Sequence, residues 1–154
     1  MKDRREVQIT RFELWMQKGV HDLIVEGLEE HFGFNDPMQN PDLISIADSY
    51  RDSIFLVAMR DESVLAAGAL VHERVGVGRV VRMSVTPTMR RKGIGSLMLD
   101  ALIREGVRLG DREFVLETTA DWVDANHFYM ASGFELIGID RDRNEANYRL
   151  SLPA

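Results

Sequence analysis

The sequence predicts an α+β fold, a mixed and mainly antiparallel central sheet of six to seven strands flanked by about four helices. Three observations carry that prediction. Strand-like and helix-like periodicities mix without strict βαβα alternation, and three strand-like runs follow one another in the middle of the chain. The third is bulk: 154 residues, 45% hydrophobic and 29% charged, can bury a core without disulfides or a structural metal. No internal repeat, low-complexity tract or linker divides the chain, so a single domain spanning 1–154 is expected.

The first strand is read at 7–12, where Val7 and Ile9 alternate with Gln8 and Thr10. Val20, Leu23, Ile24 and Leu28 then fall at helical spacing over 20–31. Asn40-Pro41 offers a cap with proline at the first helical position, and Leu43, Ile46, Ala47 and Tyr50 mark one face of a second helix. Segments 53–60 and 64–72 are apolar runs joined by Asp61-Glu62-Ser63, the pattern of a buried hairpin. Gly76 and Gly78 make a flexible turn into 79–85, and Pro87 ends that strand. The clearest helix is 94–109, with Ile94, Leu97, Met98, Ala101 and Leu102 along one stripe and Gly110 just past its end. A short strand at 114–116 leads to Glu117. Asp121 is read as the cap of a helix carrying Trp122, Ala125, Phe128 and Tyr129, which Gly133 stops. Two strands, 134–139 and 147–152, close the chain around a charged loop.

The absence of cysteine excludes a disulfide framework, a Cys-ligated metal centre and a thiolate nucleophile, and fits a reducing cytosol. The charged N-terminus has no apolar segment behind it, so no signal peptide is read. The most apolar stretch, 64–71, is far shorter than the roughly 20 residues that span a bilayer. A cytoplasmic protein with no membrane partner is expected. His21, His31, His72 and His127 lie far apart with no ligand spacing, so no metal site is expected.

The net charge of −6 is unevenly spread. Arg79, Arg82, Arg90, Arg91 and Lys92 place five cations in a stretch with no acid, while the other 140 residues carry −11. Nucleic-acid binding needs a broader positive face than this, so no nucleic-acid partner is expected. A single bound anion suits the segment better. Its basic, Gly-bearing loop runs from a strand straight into a helix, whose first N–H groups lack internal partners and carry the positive end of the macrodipole. A Walker A loop is not met, and the third glycine of a dinucleotide fingerprint falls on Val81 or Met98. Both nucleotide readings are rejected.

Arg90-x-x-Gly93-x-Gly95, set between strand and helix, resembles the pyrophosphate loop of the GNAT superfamily of acyl-CoA-dependent N-acyltransferases. Met83-Ser84-Val85 before Pro87 and Leu116-Glu117 beyond the long helix fit the same pattern. So does Ala125-x-x-Phe128-Tyr129-x-x-x-Gly133-Phe134, and the resemblance covers about 53–152 in order and spacing. It implies a transferase that moves acetyl from acetyl-CoA to a primary amine acceptor by direct attack in a ternary complex. Acetyl-CoA is then a cosubstrate, held by Arg90, Arg91, Lys92, Gly93, Ile94, Gly95 and Ser96 at its pyrophosphate and by Met83, Ser84 and Val85 along its pantetheine arm. Glu117 matches a base position of some relatives, and Tyr129 matches the residue that protonates the leaving thiolate. A homodimer is an expectation of the family. Many members carry Asn where Trp122 stands, so the resemblance leaves Trp122 as an apolar wall in place of a contact to the cofactor arm. Glu117, Asp121 and Asp124 are the acids placed to attract a cationic amine. The alternative is a catalytically silent acyl-CoA-binding regulatory module.

Overall fold

The computed structural model describes residues 7–34 and 36–153. Among these, seven strands form one sheet: β1 (Val7–Arg11), β2 (Ile54–Arg60), β3 (Ser63–Arg74), β4 (Val77–Val85), β5 (Glu113–Thr119), β6 (Glu135–Asp140) and β7 (Glu145–Ser151). Their order is β1-β2-β3-β4-β5-β7-β6, and every neighbouring pair is antiparallel except β4 and β5. Among the described residues, four α-helices accompany the sheet: α1 (Gln17–Phe32), α2 (Ile46–Ser49), α3 (Ile94–Arg108) and α4 (Val123–Ala131). The α+β reading is correct. The one parallel pair needs a crossover, and α3 supplies it. No helix among the described residues is long and apolar enough to cross a membrane.

Alternation along the strands sorts the core into two layers. Ile54, Leu56 and Ala58 pack with α3 residues Ile94, Met98, Leu99 and Leu102 and with Phe114, Leu116, Tyr129 and Tyr148. Phe55, Val57 and Met59 face the other way, onto Val20, Leu23 and Ile24 of α1 and onto Leu43 and Ile46. Strand β2 is therefore buried on both faces, which is why it reads as an unbroken apolar run. Each fully buried aliphatic side chain contributes roughly 1.5–3 kcal/mol, so three on α1 outweigh its modest propensity.

Four local expectations are corrected. The second helix is broken into a 3₁₀ turn at Pro41–Leu43 and the single turn α2, capped at Ser45. The cause is Gln17: its amide donates to the carbonyls of Leu43 (2.9 Å) and Ile44 (3.2 Å) and accepts from Ile46 N–H (3.0 Å), replacing helical bonds. Gly78 lies inside β4, so the turn before that strand is only Val75-Gly76. Strand β5 runs from Glu113 to Thr119 because β7 pairs along its whole length, which places Glu117 inside the strand rather than past its end. The helix expected to be capped by Asp121 starts at Val123 with Trp122 at the cap position and no side-chain cap bond. The amide of Asn126 holds that turn instead, donating to Trp122 O (2.7 Å) and Thr119 O (3.0 Å).

Candidate active site

The parallel pair fixes the site. Strands β4 and β5 are joined only where Val77, Gly78 and Arg79 meet Glu113, Phe114 and Val115. Beyond Arg79 they separate, while β3 still pairs β4 as far as Val85 and β7 still pairs β5 as far as Thr119. The facing edges of Val80–Val85 and of Leu116–Thr119 are thus unpaired strand edges lining a split in the sheet. A bulge re-aims β4 within the split. The register with β3 shifts between Ala67 and Ala69, and Arg82 adopts φ +57°. Arg82 is held there by Asp42, with Nε donating at 3.0 Å and Nη2 at 2.7 Å, and Nη2 also reaches Asn40 Oδ1 (2.9 Å). Tyr50 donates to the same carboxylate at 2.5 Å. Burial works against the Asp42 charge, but the bonds from Arg82 and Tyr50 outweigh it and hold the carboxyl below its usual range. Burial and the Asp42 carboxylate push the Tyr50 phenol up to about 12.

The split opens into a cleft of about 900 Å³. Met83, Ser84, Val85, Arg90, Arg91, Gly93, Gly95, Ser96, Glu117 and Tyr129 all line it, so most of the residues singled out from the sequence come together. Lys92 and Ile94 do not. Ile94 is buried in the core beneath α3, leaving only its backbone for a ligand, and Lys92 points out to solvent. Helix α3 starts at the cleft with Gly93 at its cap in the left-handed region (φ +87°) and no side-chain cap bond. Its first-turn N–H groups are therefore left open toward a ligand. Gly95 lets this turn lie close to α4, since a Cβ there would sit 3.4 Å from the Phe128 ring.

The five cations do not act as one basic patch. Arg79 bridges Glu73 (2.8 Å) and Glu117, and Arg82 belongs to Asp42. Arg90 reaches across the cleft mouth to take both oxygens of Glu30 on α1, at 2.7 and 3.1 Å, and its Nε donates to Val85 O at 3.2 Å. Arg91 lies only at 4.0 Å from Asp124, with both side chains over 80% exposed. Arg91 and Lys92 are thus the cations left for an anion.

Glu117 follows Leu116 in β5, so its side chain points to the α1 face, as does that of Arg79 next to Val80 in β4. It also lines a second, smaller pocket with Phe32, Thr118, Thr119, Arg143, Asn144 and Glu145. Tyr129 approaches the cleft from the α3 face. Its ring is 8% exposed and packs edge-on to Phe128 and Phe134, with centroids 5.0 and 6.0 Å away. Burial raises its phenol pKa, so the group stays a proton donor at neutral pH. Trp122 lines the cleft and stacks on His31, 4.2 Å between centroids and 12° from coplanar. Trp122 and His31 thus line the cleft as a stacked pair, and the sequence reading, which considers His31 only as a metal ligand, misses its place here. The signal was present: His31 continues the Val20, Ile24, Leu28 stripe of α1 into a polar position.

The sheet thus splits between its two parallel strands, with the open terminus of α3 at one end of the split. Comparison identifies the family. The sequence model of the acetyltransferase (GNAT) family matches residues 21–134, and the chain belongs to that family. Its chemistry is acetyl-CoA-dependent acyl transfer. It is similar to the IAA acetyltransferase of Azospirillum brasilense, 30% identical over 113 residues that cover 72% of this chain and 74% of that protein. In fold it resembles a GNAT-family acetyltransferase from Staphylococcus aureus, with a TM-score of 0.86, 19% identity, and coverage of 96% and 99% of the two chains. It also resembles the PaiA N-acetyltransferase of Thermoplasma acidophilum, determined in complex with coenzyme A, with a TM-score of 0.82, 14% identity, and coverage of 94% and 98%.

Proposed function

We propose that this protein is an N-acetyltransferase that passes acetyl from acetyl-CoA to a primary amine by direct attack within a ternary complex. The β4–β5 split carries the reading, because it joins an anion seat at one end to a carboxylate-bearing face at the other. The N–H groups of 91–96 hold the pyrophosphate, with Arg91 and Lys92 adding charge. The free edge at Met83, Ser84 and Val85 pairs the pantetheine arm as an added strand, and a backbone N–H there polarises the thioester carbonyl. Tyr129 gives a proton to the departing sulfur from the α3 face. Glu117 receives the cationic amine on the α1 face. The chain has no cysteine, so an acyl-cysteine intermediate is excluded.

The test has two readouts. Acetyl-CoA at about 100 times its Kd should stabilise the fold by about 2.7 kcal/mol, a melting shift of roughly 5–10 °C. Adding primary amines should then release free thiol. No shift refutes the cosubstrate assignment, and a shift with no thiol release from any amine refutes the transferase assignment in favour of a silent acyl-CoA-binding module.

A further inference from the structure

Within the proposed N-acetyltransferase reaction, we infer that His31 takes the proton from the incoming ammonium, while Glu117 docks it. The inference rests on that reading and starts from what each group already holds. The Glu117 carboxylate is paired with Arg79, and the same guanidinium holds Glu73 at 2.8 Å with Glu145 nearby. Taking a proton at Glu117 breaks an existing ion pair. His31 is in the opposite condition. Its imidazole makes no hydrogen bond among the described residues, its side chain is 19% exposed, and Asp121 Oδ1 lies 3.8 Å from Nε2. The Trp122 ring stacked 4.2 Å away fixes the plane of the imidazole at the cleft wall, with the Asp121 carboxylate beside it.

The position also fits. His31 is on the α1 face, toward which Glu117 points, and it lines the main cleft together with Glu117, Thr118 and Tyr129. The next residue, Phe32, lines both that cleft and the smaller pocket, so the end of α1 overlies the place where the two cavities meet. Of the other charged groups on the cleft walls, Glu30 is paired with Arg90 and Arg82 with Asp42, while Arg91 and Asp124 stand 4.0 Å apart and largely exposed. Glu26 of α1 and His127 of α4 complete the titratable set.

The proton balance is direct. An ammonium nitrogen loses two protons on becoming an amide. The first passes to His31 and out to solvent, freeing the lone pair that attacks the thioester carbon. As the C–N bond forms and the C–S bond breaks, Tyr129 gives its proton to sulfur, and the second proton from nitrogen replaces it.

The experiment follows kcat and kcat/KM from about pH 5 to about pH 9 for wild type, His31→Asn and Glu117→Gln. Thiol release is measured with the fastest acceptor among ethanolamine, putrescine, phenethylamine and an alanyl peptide, and acetyl-CoA binding is titrated in parallel. Wild type should show an acid limb in kcat between about pH 5 and pH 8. His31→Asn should lose that limb and about 10²–10³-fold in kcat, with acetyl-CoA affinity within about twofold. Glu117→Gln should keep the limb and raise the amine KM. A limb retained in His31→Asn, or abolished in Glu117→Gln, overturns the assignment. Should His31→Asn fail to bind acetyl-CoA, His31→Gln is read by the same two criteria. If wild type turns over none of the acceptors while binding acetyl-CoA, the transferase reading itself has failed, a result separable from all of these.

Discussion

Asp42 lies 40 residues before Arg82 and touches no predicted catalytic residue, yet it governs the shape of the split. Replacing it by Asn preserves volume and one oxygen but removes the charge that accepts from Arg82 Nε at 3.0 Å, Arg82 Nη2 at 2.7 Å and Tyr50 at 2.5 Å. Hydrogen bonds to charged groups contribute about 1.5–3 kcal/mol each, and removing one partner of a fully buried pair costs about 3–5 kcal/mol. The Arg82 and Asp42 side chains are 18% and 27% exposed, so solvent takes part of the loss. Asp42→Asn should therefore cost about 2–3 kcal/mol, lowering the melting temperature by about 4–12 °C at neutral pH. The pH dependence has a definite sign. A carboxyl held below its ordinary value in the fold contributes stability that is complete above the unfolded value near 4 and lost as pH falls through the folded one. The gap between wild type and variant should persist at neutral pH and close below about pH 4. Tyr50, pushed up to about 12, loses its share only at strongly alkaline pH. Thermal melts by circular dichroism across this range provide the check. Equal melting temperatures at neutral pH, or a gap unchanged in acid, would refute the ion-pair account of the bulge.

Two further substitutions test the site from either end. Tyr129→Phe keeps the ring contacts to Phe128, Phe134 and Tyr148, so stability should change little while kcat falls about 10²–10⁴-fold; steady-state kinetics showing unchanged turnover would remove Tyr129 from the reaction. Gly93→Ala introduces a Cβ that meets nothing within 4 Å, so any loss must come from the backbone at φ +87°. Stability should fall by about 1–2 kcal/mol and acetyl-CoA should bind more weakly, as read by melts and calorimetric titration, and an unaltered Kd would count against the helix-terminus seat.

What the sequence made legible was set by range. β2, β3 and α3 could be read because their periodicities report burial directly, and the loop at Arg90–Gly95 could be read because its glycines and charges are contiguous. The break before α2 was invisible because its cause, Gln17, lies 26 to 29 residues upstream. The length of β5 is imposed by β7, not by its own apolar pattern. The charges show the limit most clearly. Arg79, Arg82 and Arg90 look identical to Arg91 in a local count, but beyond the nearby Glu73 of Arg79 their partners are 38, 40 and 60 residues away. Only the fold reveals that three of five cations are already spoken for.

That division of charge makes its own prediction at Arg90. Its pair with Glu30 is half exposed, 41% and 53%, so breaking it should cost only about 0–1 kcal/mol. Glu30 nevertheless puts a negative charge at the mouth of a cleft whose proposed ligand is itself an anion, within reach of electrostatic repulsion at physiological salt. Glu30→Gln removes the like charge and frees the two terminal nitrogens of Arg90. Acetyl-CoA should then bind about two- to tenfold tighter, a gain of about 0.4–1.4 kcal/mol, and the gain should shrink as salt is raised. Calorimetry at two ionic strengths separates the alternatives. Weaker binding by Glu30→Gln would mean that the clamp preorganises the cleft mouth, and its geometry would then outweigh its charge.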